Sequence, residues 1–402
     1  MIYQHHSISL RLFLNRYNFF FNNQRGMVKN VEPPKISSTQ FTIIVILFTI
    51  GSSILIIPSG LAEAAEQDAW IAGIVGLAGG LLVILLFNAL GKQDTSLTLL
   101  ENCEAILGKG LGKTLAFVFI TFFFLLASTV VWDLVNFLTT HILVDSPIEV
   151  ISILFISLVI FATRLGLETI VRCGEIFFPW VIGLFFLWML FALRDAKFTN
   201  LLPVMEDGLK PIWKGATLSM SIPYIQLIVF LMIYPTVYSK KTGRSLFIGT
   251  LFGGLILITI TFACLLVLGV NGTIIQSHPS YILGKKISFG NFIQRIEVIV
   301  AIIWMLTIFF KLVVLFYAST IGFAQVLGVK DYRILTFPLG IILLILSLIV
   351  FPNDTYANEF ASTSWIPYSF TICIILPFFL ILIAKIRKKH IKRKEGDSSW
   401  GP

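Results

Sequence analysis

Glycine, serine and proline residues interrupt the first long apolar segment of the chain in a pattern that exposes backbone groups. Gly51, Ser52 and Ser53 stand between two isoleucine-rich stretches, and Pro58 follows one to two helical turns later. Glycine lowers helix stability and proline removes a backbone donor, so the pattern predicts local unwinding. Unwound backbone at membrane depth is tolerated only where it is buried in protein or lines a cavity. The alternative is a proline kink whose small residues pack against a neighbouring helix.

A later apolar segment carries a related interruption. Ser221 stands two residues before Pro223, and Gln226 adds a further polar group at membrane depth. Inverted-repeat transporters bind their ligands between broken helices at corresponding positions of their two halves. A free helix N-terminus suits a carboxylate and a free C-terminus suits an ammonium group. The two interruptions together predict a site for a zwitterionic amino acid.

Lys311 lies near the middle of a third apolar segment. A charge at the centre of a bilayer costs about 2.5–3.5 kcal/mol on insertion scales, so Lys311 should face the protein interior or a cavity. Thr307 stands one helical turn earlier on the same face. One interpretation is a proton-responsive or cation-substituting group beside a ligand. The other is a structural lysine that bonds to carbonyl groups of an unwound neighbour such as the first segment.

The elements that carry these residues are predicted to be membrane helices. Of the 402 residues, 57% are hydrophobic and 13% are charged, whereas soluble domains have about 45–50% apolar and about 25% charged residues. About ten segments are long enough to span a bilayer, and they lack the alternation of barrel strands. They lie near residues 40–60, 70–90, 114–136, 148–164, 175–193, 215–236, 246–270, 296–325, 334–351 and 365–386.

Composition and motifs predict neither an enzyme nor a nucleic-acid-binding protein. The four cysteines and five histidines are scattered, and no Ser/His/Asp or paired-carboxylate arrangement stands out, so no catalytic site, metal site or cofactor is predicted. The net charge is +9, but seven of the 30 lysines and arginines lie in 385–394, directly after an apolar span. Basic residues in that position indicate contact with anionic headgroups of the bilayer.

The placement of basic residues predicts that both termini are cytoplasmic. In that orientation the inner segments hold 22 of the 30 lysines and arginines, and the outer loops hold seven, as the positive-inside rule requires. The predicted organisation is a cytoplasmic leader (1–34), a ten-helix permease-like domain (35–386) and a basic cytoplasmic tail (387–402). Met27 is a candidate true start of the chain. The alternative is that residues 1–26 form a short basic arm.

The connection between the second and third spans carries a helix-start signal. Thr98 is followed three residues later by Glu101, which is the pattern of a capping box. A short helix on the membrane surface is one interpretation, and an ordinary polar loop is the other.

Several short segments together carry a resemblance to a known family. They are 35–41, 51–55 with Pro58, 67–72, 175–180, 200–204 and 230–235. On these segments the chain resembles the spore germination permeases, the B subunits of the nutrient germinant receptors of endospore-forming bacteria. That family belongs to the amino acid–polyamine–organocation transporter superfamily. The likeness extends from about residue 30 to about residue 390.

The resemblance implies a five-plus-five inverted repeat, with helices one and six broken and a nutrient site between spans one, three, six and eight. Members of the family often carry an acidic residue near the span-six proline, where this chain has Gln226. Carried over by position, the ligand-binding residues are Gly51, Ser52, Ser53 and Ile54 in span one and Ser221, Pro223 and Tyr224 in span six. Thr307 and Lys311 of span eight complete the predicted site.

The function implied is a membrane subunit of a spore nutrient germinant receptor. It would bind a small nutrient such as an amino acid in a transporter-like pocket and trigger germination. The implied partners are a larger A subunit and a lipoprotein C subunit in the spore inner membrane. A proton-coupled amino-acid permease and an ion-conducting subunit gated by its partners are the alternatives. A sensor can retain a transporter fold, so the sequence does not separate these functions.

Overall fold

The long apolar runs of the sequence form a bundle of helices. A computed structural model describes residues 35–239, 241–286 and 296–397, with side chains to residue 387. Within these ranges the extended chain pairs only at an isolated bridge between Ile36 and Val237. The first helices are α1 (Ser38–Ile50), α2 (Ser53–Ala65), α3 (Ala69–Gly91), α4 (Leu99–Leu107), α5 (Lys109–His141), α6 (Ile148–Leu165) and α7 (Leu167–Ala192). They are followed by α8 (Leu209–Ser219), α9 (Thr242–Ile274), α10 (Pro279–Lys286), α11 (Glu297–Leu327), α12 (Thr336–Ile349), α13 (Asp354–Thr363), α14 (Trp365–Phe370) and α15 (Leu376–Asp397).

Every predicted span is helical, although the first is divided. In the described ranges nine segments are long and apolar enough to cross a membrane, and α1 is a shorter apolar helix beside them. The segment Ser53–Gly91 contains α2 and α3, with a turn at Glu66 where φ is 47°. Thus α1 and α2 together form span one, and α3 is span two. The prediction of an all-α membrane protein is confirmed.

The packing of the helices agrees with an inverted repeat. Helices at equivalent places in the two halves contact each other: α2 packs on α8, α3 on α9, and α5 on α11. A pseudo-twofold axis brings such equivalent pairs together. The connections correspond as well, because α4 joins spans two and three and packs on α5, while α10 joins spans seven and eight and packs on α11. The predicted five-plus-five architecture is therefore the observed one.

The predicted capping box is present, so the connection after span two is a helix rather than a loop. Thr98 Oγ1 accepts from the Glu101 backbone N–H at 3.3 Å, and Glu101 Oε2 accepts from the Thr98 N–H at 2.8 Å. Arg387 at the end of span ten donates to the Ile106 carbonyl of this helix. The predicted leader, including Met27, lies outside the described residues.

Candidate functional site

The chain leaves the helix at Gly51, inside span one. Gly51 has non-helical backbone angles, φ 18° and ψ −123°, and separates α1 from α2. A Cβ atom at this position would lie 2.6 Å from Cδ of Lys311 and 2.7 Å from the carbonyl oxygen of Phe48. The break therefore requires glycine, because the Lys311 side chain lies directly against the backbone.

The proline of span one leaves a carbonyl group to be satisfied by another element. In a regular helix the Ile54 carbonyl would accept from the N–H four residues later, but that residue is Pro58, which has none. Ser280 Oγ of α10 donates to the Ile54 carbonyl at 2.8 Å, and both residues are buried. The predicted interruption is thus a true break, and α10 is bonded to it.

Lys311 is completely buried and points at the break. Its Nζ donates to Ser52 Oγ at 3.0 Å and lies 5.4 Å from the centroid of the Phe48 ring. The structural interpretation of Lys311 expected a bond to the unwound span one, and the bond exists, but to a hydroxyl rather than to carbonyl groups. Thr307 is also buried, and its hydroxyl donates to the Trp304 carbonyl within α11.

The break in span six is a change of winding rather than a gap. Residues Met220–Tyr224 form a π-helical turn and Ile225–Met232 continue as a 3₁₀-helix. The Ile225 N–H donates to the Met220 carbonyl instead of to Ser221. The released Ser221 carbonyl accepts from Nε1 of Trp365 at 3.3 Å. A side chain of span ten therefore satisfies the backbone carbonyl that the change of winding leaves without a helical donor.

A cavity of about 310 Å³ extends from the break in span one toward the predicted outer side. Its walls are formed by α2 with the residue before it, by α5 and by span six, and the connections on the predicted outer side and Trp365 of span ten cover it. The wall residues include Ser52 at the break, Ile56, Gly60 and Glu63 of α2, Leu126, Thr129, Asp133 and Asn136 of α5, and Leu218, Ile222 and Gln226 of span six. His278 and Asp354 line it from the outer connections.

The structure brings only part of the predicted site to this cavity. Ser52 lines it directly. The remaining predicted residues do not line the cavity: these are Gly51, Ser53, Ile54, Ser221, Pro223, Tyr224, Thr307 and Lys311. Tyr224, for example, packs against α3, where a Cβ on Gly80 would lie 2.6 Å from its ring. Their assignment as ligand-binding residues stays a prediction.

Sequence reasoning missed Asp133, the carboxyl group that α5 contributes to the cavity wall. Asp133 is the single charged residue of the apolar segment 114–136, and an ionisable residue within a span is a candidate functional residue by default. Lys311 interacts electrostatically with it. Asp133 meets the same criterion as Lys311, an ionisable side chain within an apolar span.

Two histidines meet at the end of the cavity that faces the predicted outer side, although the sequence showed no histidine cluster. His141 Nε2 and His278 Nδ1 are 3.1 Å apart, so one ring donates to the other. Burial, together with the neighbouring His141, lowers the pKa of His278 to about 3. His278 is therefore neutral at physiological pH. In the described part of the chain, no group of three or more metal-ligating side chains occurs.

Comparison with known proteins identifies relatives over nearly the whole chain. A family model described as "Spore germination protein" matches residues 35–355. Spore germination protein KB of Bacillus subtilis (strain 168) is 27% identical over 374 residues, covering 92% of this chain and 100% of the relative. Spore germination protein YndE of the same organism is 26% identical, covering 89% of this chain and 98% of the relative.

Solved structures with the same fold have low sequence identity to this chain. MhsT in complex with L-phenylalanine superposes with a TM-score of 0.61 at 14% identity, covering 88% of this chain and 99% of that one. MHP1, a nucleobase-cation-symport-1 family transporter, gives a TM-score of 0.60 at 11% identity, covering 85% and 78%. At these identities the likeness concerns the fold alone.

Proposed function

This chain belongs to the spore germination protein family, and from that premise we propose that it is the membrane subunit of a nutrient germinant receptor. The observation that carries the proposal is the cavity, which ends at broken backbone within the membrane. In this fold a pocket at a broken helix suits a small polar molecule. The proposed ligand is a nutrient such as an amino acid, and its binding would trigger germination. The proposed activity is not enzymatic.

The geometry of span one supports a role in sensing. Ser52 contacts both the cavity and the Lys311 ammonium group, and α10 is bonded to the Ile54 carbonyl two residues further on. A ligand that binds beside Ser52 would change the balance of these contacts. Signalling requires such a difference in ligand affinity between two states of the receptor. In this proposal Lys311 supplies a fixed positive charge at the break.

The remaining residues of the proposed site support the cavity wall from behind. Ser53 is fully buried, and its hydroxyl has no hydrogen-bond partner within the described part of the chain. Tyr224 and Pro223 fix the winding of span six between α3 and the cavity. In this proposal, movement of span one or span six on ligand binding would bring Ser53, Pro223 or Tyr224 into contact with the ligand.

The proposed assembly follows from the family. We place the chain in the spore inner membrane with both termini on the core side, beside an A subunit and a lipoprotein C subunit. The presence of genes for these subunits next to the gene for this chain would support the assembly. Co-purification of the three proteins from spore membranes tests it directly.

A germination assay tests the receptor function. The gene is deleted from its spore-forming host and restored in trans, and both spore preparations are exposed to a panel of amino acids, sugars and nucleosides. We expect the deletion to abolish the response to at least one nutrient and the restored gene to recover it. Equal responses of deleted and restored spores to every compound would refute the receptor function.

A proton-coupled permease is the second candidate. The observation that favours it is the presence of two ionisable residues, Asp133 and Lys311, which interact within the membrane; such residues mark proton pathways in transporters. Uptake of a radiolabelled ligand into proteoliposomes separates the two functions. Accumulation driven by a pH gradient supports the permease, and binding without uptake excludes it.

A further inference from the structure

Among the described residues, the cavity wall carries acidic groups and no strong base. Glu63, Asp133 and Asp354 line it, whereas none of the described lining residues is a lysine or an arginine. The basic side chain next to it, Lys311, has turned its ammonium group to Ser52. The electrostatic character of the cavity therefore favours a ligand with a positive charge.

Asp133 is available to such a ligand. Asp354 already accepts a hydrogen bond from Asn136 Nδ2 at 2.7 Å, and Glu63 lies at the outer end of α2. Within the described residues Asp133 makes no hydrogen bond, and no cationic nitrogen lies within 4.0 Å of its carboxyl oxygens; the ion pair formed at that distance is Arg172–Glu168. The carboxyl group in the α5 wall thus has neither a hydrogen-bond partner nor a directly contacting cation among the described residues, although it feels the charge of the more distant Lys311.

Gln226 provides an independent indication of a missing donor. Its side chain is 2% exposed and lines the cavity. Its amide oxygen Oε1 is buried without a hydrogen-bond partner among the described residues. A buried acceptor that lacks a donor costs free energy, which a donor on the ligand would recover.

We infer that the cavity recognises the ammonium group of an amine-bearing nutrient, with Asp133 as the specificity-determining residue and Gln226 Oε1 as a second acceptor. This inference rests on the proposed receptor function. An ammonium group has three N–H donors and one positive charge, which match one carboxylate and one amide oxygen. A 2-hydroxy acid of the same shape offers one donor and no positive charge. Sugars offer hydroxyl donors alone.

Matched compounds test the inference in intact spores. The deletion strain is restored with the wild-type gene, with Asp133→Asn or with Asp145→Asn, an exposed acidic residue of an outer loop that does not line the cavity. The probes are L-alanine with L-lactate, L-valine with 2-hydroxyisovalerate, and L-phenylalanine with phenyllactate, together with glucose. The measured quantity is the concentration that gives half-maximal germination, and immunoblots of spore membranes control for the amount of protein.

We expect the concentration for half-maximal germination to be at least about tenfold lower for at least one amine than for its matched hydroxy acid. Asp133→Asn should remove this preference, while Asp145→Asn should keep it. Gln226→Leu should weaken the response to the amine less than Asp133→Asn does. A structural defect would lower all responses together and would not change the ratio between amine and hydroxy acid.

Three other results overturn the inference. In the first, the gene restores a response only to hydroxy acids or glucose. In the second, spores with the wild-type gene respond equally to the amine and the hydroxy acid of each pair. In the third, Asp133→Asn spores keep the wild-type preference for the amine. In each of these cases the gene still restores a nutrient response, so the receptor function stands. If the gene restores no response at all, the receptor function itself fails.

Discussion

The interruptions in spans one and six have similar sequences but different structures. Both contain serines followed by a proline, yet span one leaves the helix at Gly51 and span six only changes its winding. Proline has the same local effect in both, the loss of one backbone donor. Glycine makes the difference, because a backbone that passes directly against the Lys311 side chain has no room for a Cβ.

The comparison also shows how each released carbonyl is satisfied. In span one the Ile54 carbonyl accepts from Ser280 of a short outer helix. In span six the Ser221 carbonyl accepts from Trp365 of span ten, a membrane helix. Span one also carries the buried contact with Lys311. We infer that span one changes its conformation when the ligand binds, whereas span six keeps its conformation.

The largest effect is expected from Gly51→Leu. The new side chain would overlap Lys311 and close the break, so we expect loss of the germination response by more than about tenfold, with a stability loss of about 1–3 kcal/mol from overpacking. Gly183→Leu is the matched control, because a Cβ there would meet no atom of another described element within 4 Å. Normal germination of Gly51→Leu spores at wild-type protein levels would exclude span one as the site.

Lys311→Met should have the next largest effect. It removes the buried charge but keeps an unbranched side chain beside Gly51, so we expect the protein to fold, because an apolar side chain avoids the cost of a charge at the bilayer centre. The nutrient concentration that gives half-maximal germination should change several-fold, or its dependence on pH should change. Exposed Lys330→Met is the control. A wild-type response at all pH values would assign Lys311 a purely structural role.

Ser280→Ala tests the closure of span one. It leaves the buried Ile54 carbonyl without a donor, which costs about 1–3 kcal/mol. We expect a lower melting temperature of the purified protein and an altered nutrient response. Ser347→Ala, which removes a buried hydroxyl that donates within its own helix, should change neither. Equal melting temperatures for the two variants would contradict the importance of the Ser280 bond.

Trp365→Phe tests the closure of span six and should have a smaller effect on the nutrient response. Phenylalanine keeps an aromatic ring beside Phe122, whose centroid lies 5.6 Å from that of Trp365, but the second ring of the indole and the N–H donated to Ser221 are lost. We expect about 1–3 kcal/mol of destabilisation, because the buried Ser221 carbonyl loses its donor, and a nutrient response close to wild type. A loss of response as complete as in Gly51→Leu would show that span six moves as well.

The smallest effect is expected from lowering the pH, which should destabilise the protein through His278. The pKa of His278 is lowered in the folded protein, so the unfolded chain binds more protons below its own pKa of about 6.5, and stability is lost as pH falls below that value. We expect the melting temperature to fall between pH 6.5 and pH 5. His278→Gln should reduce this fall, and a pH dependence identical to wild type would contradict the assignment. Because His278 directly precedes α10, acid should loosen span one before span six.

Much of the fold could be predicted from the sequence. Hydropathy located all ten spans, because a bilayer demands about 20 apolar residues wherever a helix crosses it. The Thr98 capping box and the glycine and proline interruptions are local as well, since each acts within one or two helical turns. For the same reason the sequence indicated Gly51 and Pro58 as the place of a break.

The composition of the cavity was decided by tertiary structure alone. Asp133, Ser52 and Gln226 lie on three different helices, and only the packing of α2, α5 and span six places them around one space. Whether a broken backbone stays open or is closed also depends on distant residues such as Ser280 and Trp365. Helix periodicity shows which residues share a face, but which faces meet is set by packing between segments that are far apart in the chain.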